Sequence, residues 1–338
     1  MAQLRKMLTP FSMIYHGVTA ARNLLYDKGV FTSEAYDIPV ICVGNLTVGG
    51  TGKSPMIEYL IRLLKDDFKV AVLSRGYKRS TSGFLYVESS HTSKEVGDEP
   101  LQFKTKYPGI TVAVCADRRE GIEKLKPKAE VILLDDAFQH RRVKAGYTIL
   151  LTTFEQPFLD DQLLPAGDLR ESKAGAKRAD AVVITKIPEK VAHAKVQELE
   201  FRLREFTGKS VYKTKIAYGR LIKNDAGAES IDYLKDKPFT LVTGIANPEP
   251  LVNFLRDEGC NFDLQRYPDH HEFTSAQINL IEKRELVITT EKDYMRLRDK
   301  INKKALYYLP IETAFLDREG YFESEILDFV HTYWNKIV

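Results

Sequence analysis

Thr47-Val48-Gly49-Gly50-Thr51-Gly52-Lys53-Ser54 is the stretch of this sequence richest in chemical potential. It follows the apolar run Val40–Val43 and precedes Pro55–Lys65, whose spacing is helical. Strand, glycine-rich loop and helix in that order are what a phosphate-binding loop requires. The glycines let backbone N–H groups turn toward phosphate oxygens, and the helix N-terminus adds a favourable dipole. Lys53 would reach the β- and γ-phosphates of a nucleotide, and the Ser54 hydroxyl would be a Mg²⁺ ligand. The usual pattern has glycine where Thr47 stands, so the later glycines and the Lys-Ser pair carry the reading.

A metal-bound triphosphate also needs an acid. Val131-Ile132-Leu133-Leu134-Asp135-Asp136 is an apolar strand ending in two carboxylates, the way such enzymes hold Mg²⁺ directly or through water. Asp135 is the metal ligand of choice; Asp136 either assists or faces the acceptor. Phosphoryl transfer to a hydroxyl further needs a carboxylate to orient the acceptor and take its proton. Gly97-Asp98-Glu99-Pro100 offers Asp98 or Glu99, although the tetrapeptide by itself reads as a helix start capped by Asp98. Arg75 and the pair Arg118-Arg119 follow further strand ends, where they could grip anionic groups. Gln139 and His140 trail the two acids at the same rim. Asp269-His270-His271 lacks a third metal ligand nearby, so a histidine paired with the catalytic carboxylate is the other functional reading.

These groups must be positioned by a scaffold. Short apolar runs at Val70–Ser74, Thr111–Cys115, Val131–Leu134, Thr148–Thr152 and Ala181–Thr185 alternate with helical spacing. Such runs imply parallel strands covered on both faces, hence a P-loop NTPase-like, doubly wound α/β sheet. An irregular stretch, Tyr218–Gly227, suggests a joint. A second α/β pattern then runs from Phe239-Thr240-Leu241-Val242 through a helix after Pro248, strands at Phe262–Arg266 and Leu286–Thr290, and a helix from Ser275. The tail from Tyr321 is an amphipathic helix. The expected division is residues 1–30, a basic amphipathic N-terminal segment; 31–222, the phosphate-loop domain; and 223–338, a smaller α/β domain.

Composition narrows the choice of partners. With 338 residues, 43% hydrophobic and 29% charged, the chain can bury two ordinary cores. A net charge of +3 gives no bulk attraction to nucleic acid. Cys42, Cys115 and Cys260 have no paired spacing, and read as free thiols in a reducing compartment. No run approaches the ~18 apolar residues that a membrane-crossing helix needs. The first thirty residues still carry Arg5, Lys6, Arg22 and Lys28 against the single acid Asp27, interleaved with Leu4, Met7, Leu8, Phe11, Met13, Ile14 and Val18. Such a segment either lies in a membrane interface or docks on the protein's own core.

Taken in order, Gly44–Pro55, Ser74–Tyr77, Gly97–Pro100, Asp135–His140, Leu164–Glu171, Gly244–Pro248 and Thr290–Asp293 resemble the motifs of the tetraacyldisaccharide 4′-kinase (lipid A 4′-kinase) family, over almost the whole chain. That family's loop also lacks the first glycine. Ala137 and Ser54 depart from the glycine and threonine usual in it. The resemblance implies transfer of the ATP γ-phosphoryl to the 4′-hydroxyl of an acylated glucosamine disaccharide lipid, with Mg²⁺. The place it implies is the cytoplasmic face of the bacterial inner membrane. It implies Asp98 as catalytic carboxylate and His270 as its partner, with Asn45, Arg75, Arg118 or Arg119, Gln139 and His140 around the acceptor. It makes the N-terminal segment a membrane and acyl-chain contact. The alternative is a P-loop GTPase or metallochaperone, which would need [Asn/Thr]-Lys-x-Asp to read guanine; the closest stretch, Thr185-Lys186-Ile187-Pro188, has proline at the acid position.

Overall fold

A computed structural model describes residues 8–301 and 305–335 of the chain. Leu4, Arg5, Lys6 and Met7 of the expected basic segment therefore lie outside the described residues. The elements in order are α1 (Thr9–Asp27), β1 (Val40–Asn45), α2 (Lys53–Leu64), β2 (Val70–Ser74), β3 (Leu85–Tyr86), α3 (Ser93–Val96), α4 (Asp98–Lys106), β4 (Thr111–Val114), α5 (Arg118–Leu125), β5 (Val131–Asp135), β6 (Tyr147–Thr153), β7 (Ala181–Thr185), α6 (His193–Thr207) and β8 (Ser210–Tyr218). There follow β9 (Leu221–Asn224), β10 (Gly227–Ser230), β11 (Phe239–Thr243), α7 (Glu249–Asp257), β12 (Phe262–Arg266), α8 (Ser275–Glu282), β13 (Val287–Thr290), α9 (Glu291–Leu297), β14 (Leu306–Leu309), β15 (Ile311–Phe315) and α10 (Glu319–Asn335).

Among the described residues the strands make two sheets. The first has nine, in the order β15-β8-β7-β6-β1-β5-β2-β4-β3, parallel except for the edge pairings of β15 with β8 and of β3 with β4. Its central strands β1, β2, β5 and β7 are buried at every residue, as the continuous apolar runs require when helices cover both faces. The phosphate loop and Asp135 sit at the C-terminal ends of neighbouring strands, paired with Val43 opposite Asp135. The second sheet has six strands, β10-β9-β14-β13-β11-β12, over its own core of Ile222, Leu241, Val252, Leu255 and Ile288.

The expected division at residue 223 differs from this topology at the C-terminal side. β15 returns to the first sheet, pairing antiparallel with β8 from Ile311 opposite Tyr218 to Phe315 opposite Thr214. α10 follows it. Its stripe of Phe322, Ile326 and Val330, four residues apart, is wholly buried in the core that also holds Met56, Ile57 and Leu60. A helix with such a stripe must bury it, and the matching aromatic surface belongs to the first sheet. Tyr59 and Tyr212 pack on Phe322, and their centroid distances are 6.0 and 5.0 Å. Tyr59 and Tyr147 donate to Glu323 and Glu325 at 2.9 and 2.7 Å. β8, β15 and α9 go beyond the elements expected from sequence; Lys213 and Lys215 interrupt the apolar pattern of β8.

Candidate active site

The glycine-rich loop leaves β1 and turns into α2 through two residues in the left-handed region, Gly49 at φ +107° and Gly52 at +86°, conformations that a side chain would strain. Thr51 and Ser54 are buried. Lys53 opens α2; its Nζ donates to Asn45 Oδ1 at 3.3 Å and lies 3.7 Å from Asp136 Oδ1. Burial lowers its pKa, opposed by Asp136 and Asp135.

The loop is braced from outside. Val48 N donates to Asp168 O and Arg170 N to Leu46 O, at 2.8 and 2.7 Å. On the other side Thr185 Oγ1 donates to Thr51 O at 2.8 Å, and Lys186 Nζ to Gly50 O at 2.5 Å. Asn45 is fully buried behind the loop, with Nδ2 donating to Thr47 O at 2.7 Å. Gln139 Nε2 donates to Asn45 O at 2.8 Å and to Glu171 Oε1 at 3.1 Å. Both side chains, expected at the acceptor, are thus placed as braces of the loop.

Asp135 ends β5, buried, and accepts from Ser74 Oγ at 3.0 Å. Burial, then the charges of Glu99 and Asp136, push its carboxyl up to about 6. Asp136 adopts φ +49° and is held by Arg170 Nη1 at 3.0 Å. Among the described residues no group of three or more His, Cys, Asp or Glu side chains could hold a metal alone. That suits Mg²⁺, which takes one or two carboxylates and draws its remaining oxygens from phosphates and water. The fit is supported by Thr51 Oγ1, buried without a hydrogen-bond partner in the same loop. It is supported too by Asp135, a buried carboxyl whose bonded side-chain partner is a neutral hydroxyl.

Asp98 is the first residue of α4, after Gly97. Its side chain does not cap the helix. It turns instead to the second sheet, where Oδ2 lies 3.3 Å from His270 Nδ1 and accepts from Arg296 Nε at 2.9 Å. Burial alone would raise its pKa; hydrogen bonds from His270 and Arg296 outweigh it and hold the carboxyl below the usual range. Glu99 pairs with Lys292 Nζ at 2.5 Å. Ser74, which donates to Asp135, leads into Gly76, packed against Gly97, and Tyr77, whose ring lies 5.7 Å from that of His270; α4, the second sheet and the strand ends at the phosphate loop thus meet at one crevice. His270 and its neighbour His271 do not converge: His271 Nε2 lies 2.9 Å from Gln277 Oε1.

At the rim, the two arginines after β4 separate. Arg118 is buried, donating to Cys115 O at 2.7 Å, whereas Arg119 pairs with Asp117 at 3.1 Å. Arg118 Nε and His140 Nε2 are buried with no hydrogen-bond partner. Burial, reinforced by Arg118, lowers the His140 pKa to about 4, so its ring is neutral. Arg75 is exposed at the end of β2.

α1 docks beside this rim. Tyr15 OH donates to Arg170 O at 2.7 Å, Ser12 Oγ to Leu163 O at 3.1 Å and Arg22 Nη2 to Gln139 O at 2.9 Å. Its other face is open: Phe11, Met13, Ile14 and Val18 are 61–70% exposed. A cavity of 440 Å³ between α1 and residues 161–173 is lined by Ser12, Met13, His16, Leu163 and Leu169 among others. No described helix is long and apolar enough to cross a membrane.

Sequence reasoning missed Arg296, Lys292, Arg170 and Lys186. The first two lie in or just past Thr290–Asp293, a motif to which local chemistry gives no role, and Arg170 lies within Leu164–Glu171.

Comparison with known proteins agrees with this geometry. The family described as tetraacyldisaccharide-1-P 4′-kinase matches residues 4–331. A protein of Flavobacterium johnsoniae named tetraacyldisaccharide 4′-kinase is 44% identical, over 97% of both chains. One of Phocaeicola vulgatus with the same name is 43% identical over 97% of this chain and 96% of its own. The crystal structure of LpxK from Aquifex aeolicus in complex with ATP superposes with a TM-score of 0.81 at 34% identity, covering 97% of this chain and 99% of that one.

Proposed function

The chain belongs to the tetraacyldisaccharide-1-P 4′-kinase family, and from that premise we propose that it transfers the γ-phosphoryl group of ATP to the 4′-hydroxyl of a tetraacylated glucosamine disaccharide 1-phosphate, a lipid A precursor. The observation that carries this reading is the convergence of the phosphate loop, Thr47 to Ser54, and Asp135 with a carboxylate–histidine pair, Asp98 and His270, at one crevice.

ATP sits with its phosphates on Thr47–Ser54, where backbone N–H groups and Lys53 offset their charge. Ser54 and Asp135, with Asp136 beside them, would hold Mg²⁺, which would supply further charge neutralisation on the triphosphate. Asp98 takes the proton of the 4′-hydroxyl as its oxygen forms the new bond to the γ-phosphorus. The bond from that phosphorus to the β–γ bridging oxygen breaks, and ADP leaves with the electron pair. His270 orients Asp98 through the hydrogen bond it donates and tunes the basicity of the carboxylate. Because Asp98 is held below the usual range, it is ionised at neutral pH. Positioning and electrostatics supply most of the rate.

Arg118, Arg75 and His140 form the anion-binding rim for the acceptor. Arg170 holds Asp136 in place. The open apolar face of α1 and the adjacent cavity receive acyl chains at the membrane surface, as an amphiphilic acceptor that stays in its leaflet demands. The enzyme thus works peripherally, at the cytoplasmic face of the inner membrane.

Guanine reading is disfavoured by Pro188 at the acid position, although Thr185 and Lys186 do brace the loop. The test is ADP release with Mg²⁺, with and without the acylated disaccharide. The reading expects release that depends on the lipid and prefers ATP to GTP; lipid-independent hydrolysis, or a preference for GTP, would overturn it.

A further inference from the structure

α9 is the short helix by which the second sheet reaches the first. Lys292 extends to Glu99 and Arg296 to Asp98, so two adjacent acids on α4 are each met by a cation from α9. The Arg296 guanidinium is nearly inaccessible, its side chain 7% exposed, and burial of a full charge is tolerated only where its donors are used. Nε donates to Asp98 Oδ2 at 2.9 Å and Nη2 to the same oxygen. Nη1 donates to Asp293 Oδ1 at 2.9 Å and to Gly244 O at 3.3 Å. Asp293 is itself fixed, accepting from Gly244 N and Thr290 Oγ1 at 2.8 Å each.

We propose that Arg296 is a positioning residue of phosphoryl transfer, bridging the anchored Asp293 to Asp98 so that the Asp98 carboxylate and the His270 ring are held in register between the two sheets. The inference rests on the functional reading above and goes beyond it. Arg296 touches neither nucleotide phosphates nor acceptor; it acts through Asp98 and His270.

Two details give the bridge a chemical purpose. Every contact that Asp98 makes with Arg296 and His270 falls on Oδ2; Oδ1 takes none of them and is left for the acceptor hydroxyl. In addition, His270 Nδ1 lies 3.0 Å from Arg296 Nη2 as well as 3.3 Å from Asp98 Oδ2. One nitrogen cannot accept from Arg296 and donate to Asp98 together. With Nδ1 donating to Asp98, ring and guanidinium both grip the one carboxylate oxygen, so moving Arg296 moves His270 as well. The other groups facing this cluster are Glu99 on α4, Lys292 and Asp293 on α9, and the Tyr77 ring, 5.7 Å from that of His270. A lysine could keep the charge but not the planar fork that spans two carboxylates.

The test compares wild type with Arg296→Met and Arg296→Lys in lipid-dependent phosphoryl transfer at saturating ATP and Mg²⁺. Misplacing a catalytic carboxylate should lower kcat on the order of a hundredfold in Arg296→Met, with KM for ATP unchanged, because the phosphate loop is elsewhere. The Asp98 contribution to the acid limb of its kcat–pH profile should move to higher pH, since the carboxylate loses a cationic donor. Arg296→Lys should recover part of the loss. In an Asp98→Asn background, Arg296→Met should cause no further loss, as residues acting through one group are non-additive. Wild-type kcat and pH profile in Arg296→Met, or additive losses, would overturn the proposal. If Arg296→Met fails to melt cooperatively, Arg296→Lys decides, and a wild-type rate there would overturn the bridge. Absence of transfer by the wild type would instead overturn the functional reading, and this inference with it.

Discussion

Asp98→Asn separates proton transfer from everything else that Asp98 does. Alanine would strand the buried Arg296 guanidinium with Asp293 and Gly244 O alone, and breaking such a buried pair costs about 3–5 kcal/mol of stability. Asparagine keeps the volume and leaves an oxygen to accept from Arg296 Nε. What it removes is the basic carboxylate. General base catalysis is worth roughly 10²–10⁴ in rate, or about 3–5 kcal/mol of barrier. kcat should therefore fall by that factor while KM for ATP stays put, because the nucleotide is held on β1 and α2 and not on α4. The assay is the initial rate of lipid-dependent ADP release over a range of ATP, beside a thermal melt of each protein. In the wild type Asp98 sets no limit on the rate above the ordinary carboxylate value of 3.8, since it ionises below it; the acid limb belongs to Asp135, pushed up to about 6. A variant that melts normally and turns over within about tenfold of wild type would refute Asp98 as the base.

Three further outcomes follow from the structure. Asp135 titrates near about 6 in the folded state against 3.8 for an ordinary aspartate. Above pH 6 the metal-free fold therefore carries a penalty of about 3 kcal/mol, which builds up as pH rises from 3.8 to 6. Asp135→Asn should raise the Tm of metal-free protein at neutral pH while abolishing transfer, and a lowered Tm would contradict this. Phe322→Ala should cost about 3–5 kcal/mol in urea unfolding, because the ring is wholly buried against Tyr59 and Tyr212; a loss under about 1 kcal/mol would mean that α10 is not core. Ile14→Asp, at a position 68% exposed, should leave the melt unchanged and weaken sedimentation with anionic lipid vesicles. Unchanged vesicle binding would count against α1 as the membrane contact.

The phosphate loop was legible because its chemistry demands glycines, lysine and a hydroxyl at fixed spacing between a strand and a helix. Asp135 was legible for the same reason, as an acid at the end of an apolar run. The Asp98–His270 pair was not, since 172 residues separate the partners and local physics reads Asp98 as a cap; the family resemblance supplied it. Arg296 escaped both routes, because an arginine three residues beyond a motif carries no local mark of being folded inward. The return of β15 and α10 to the first sheet was also hidden. Amphipathic spacing says that Phe322, Ile326 and Val330 are buried, but not against which sheet. Asn45 and Gln139 show the converse: the resemblance put them around the acceptor, and only their hydrogen bonds show them bracing the loop.

The most direct test of the account is the product itself. Purified protein incubated with ATP, Mg²⁺ and tetraacylated glucosamine disaccharide 1-phosphate should yield a lipid heavier by one phosphoryl group in mass spectrometry, with phosphorus–proton correlation placing it on the 4′-oxygen. Unchanged lipid, or a phosphate on any other hydroxyl, would contradict the account.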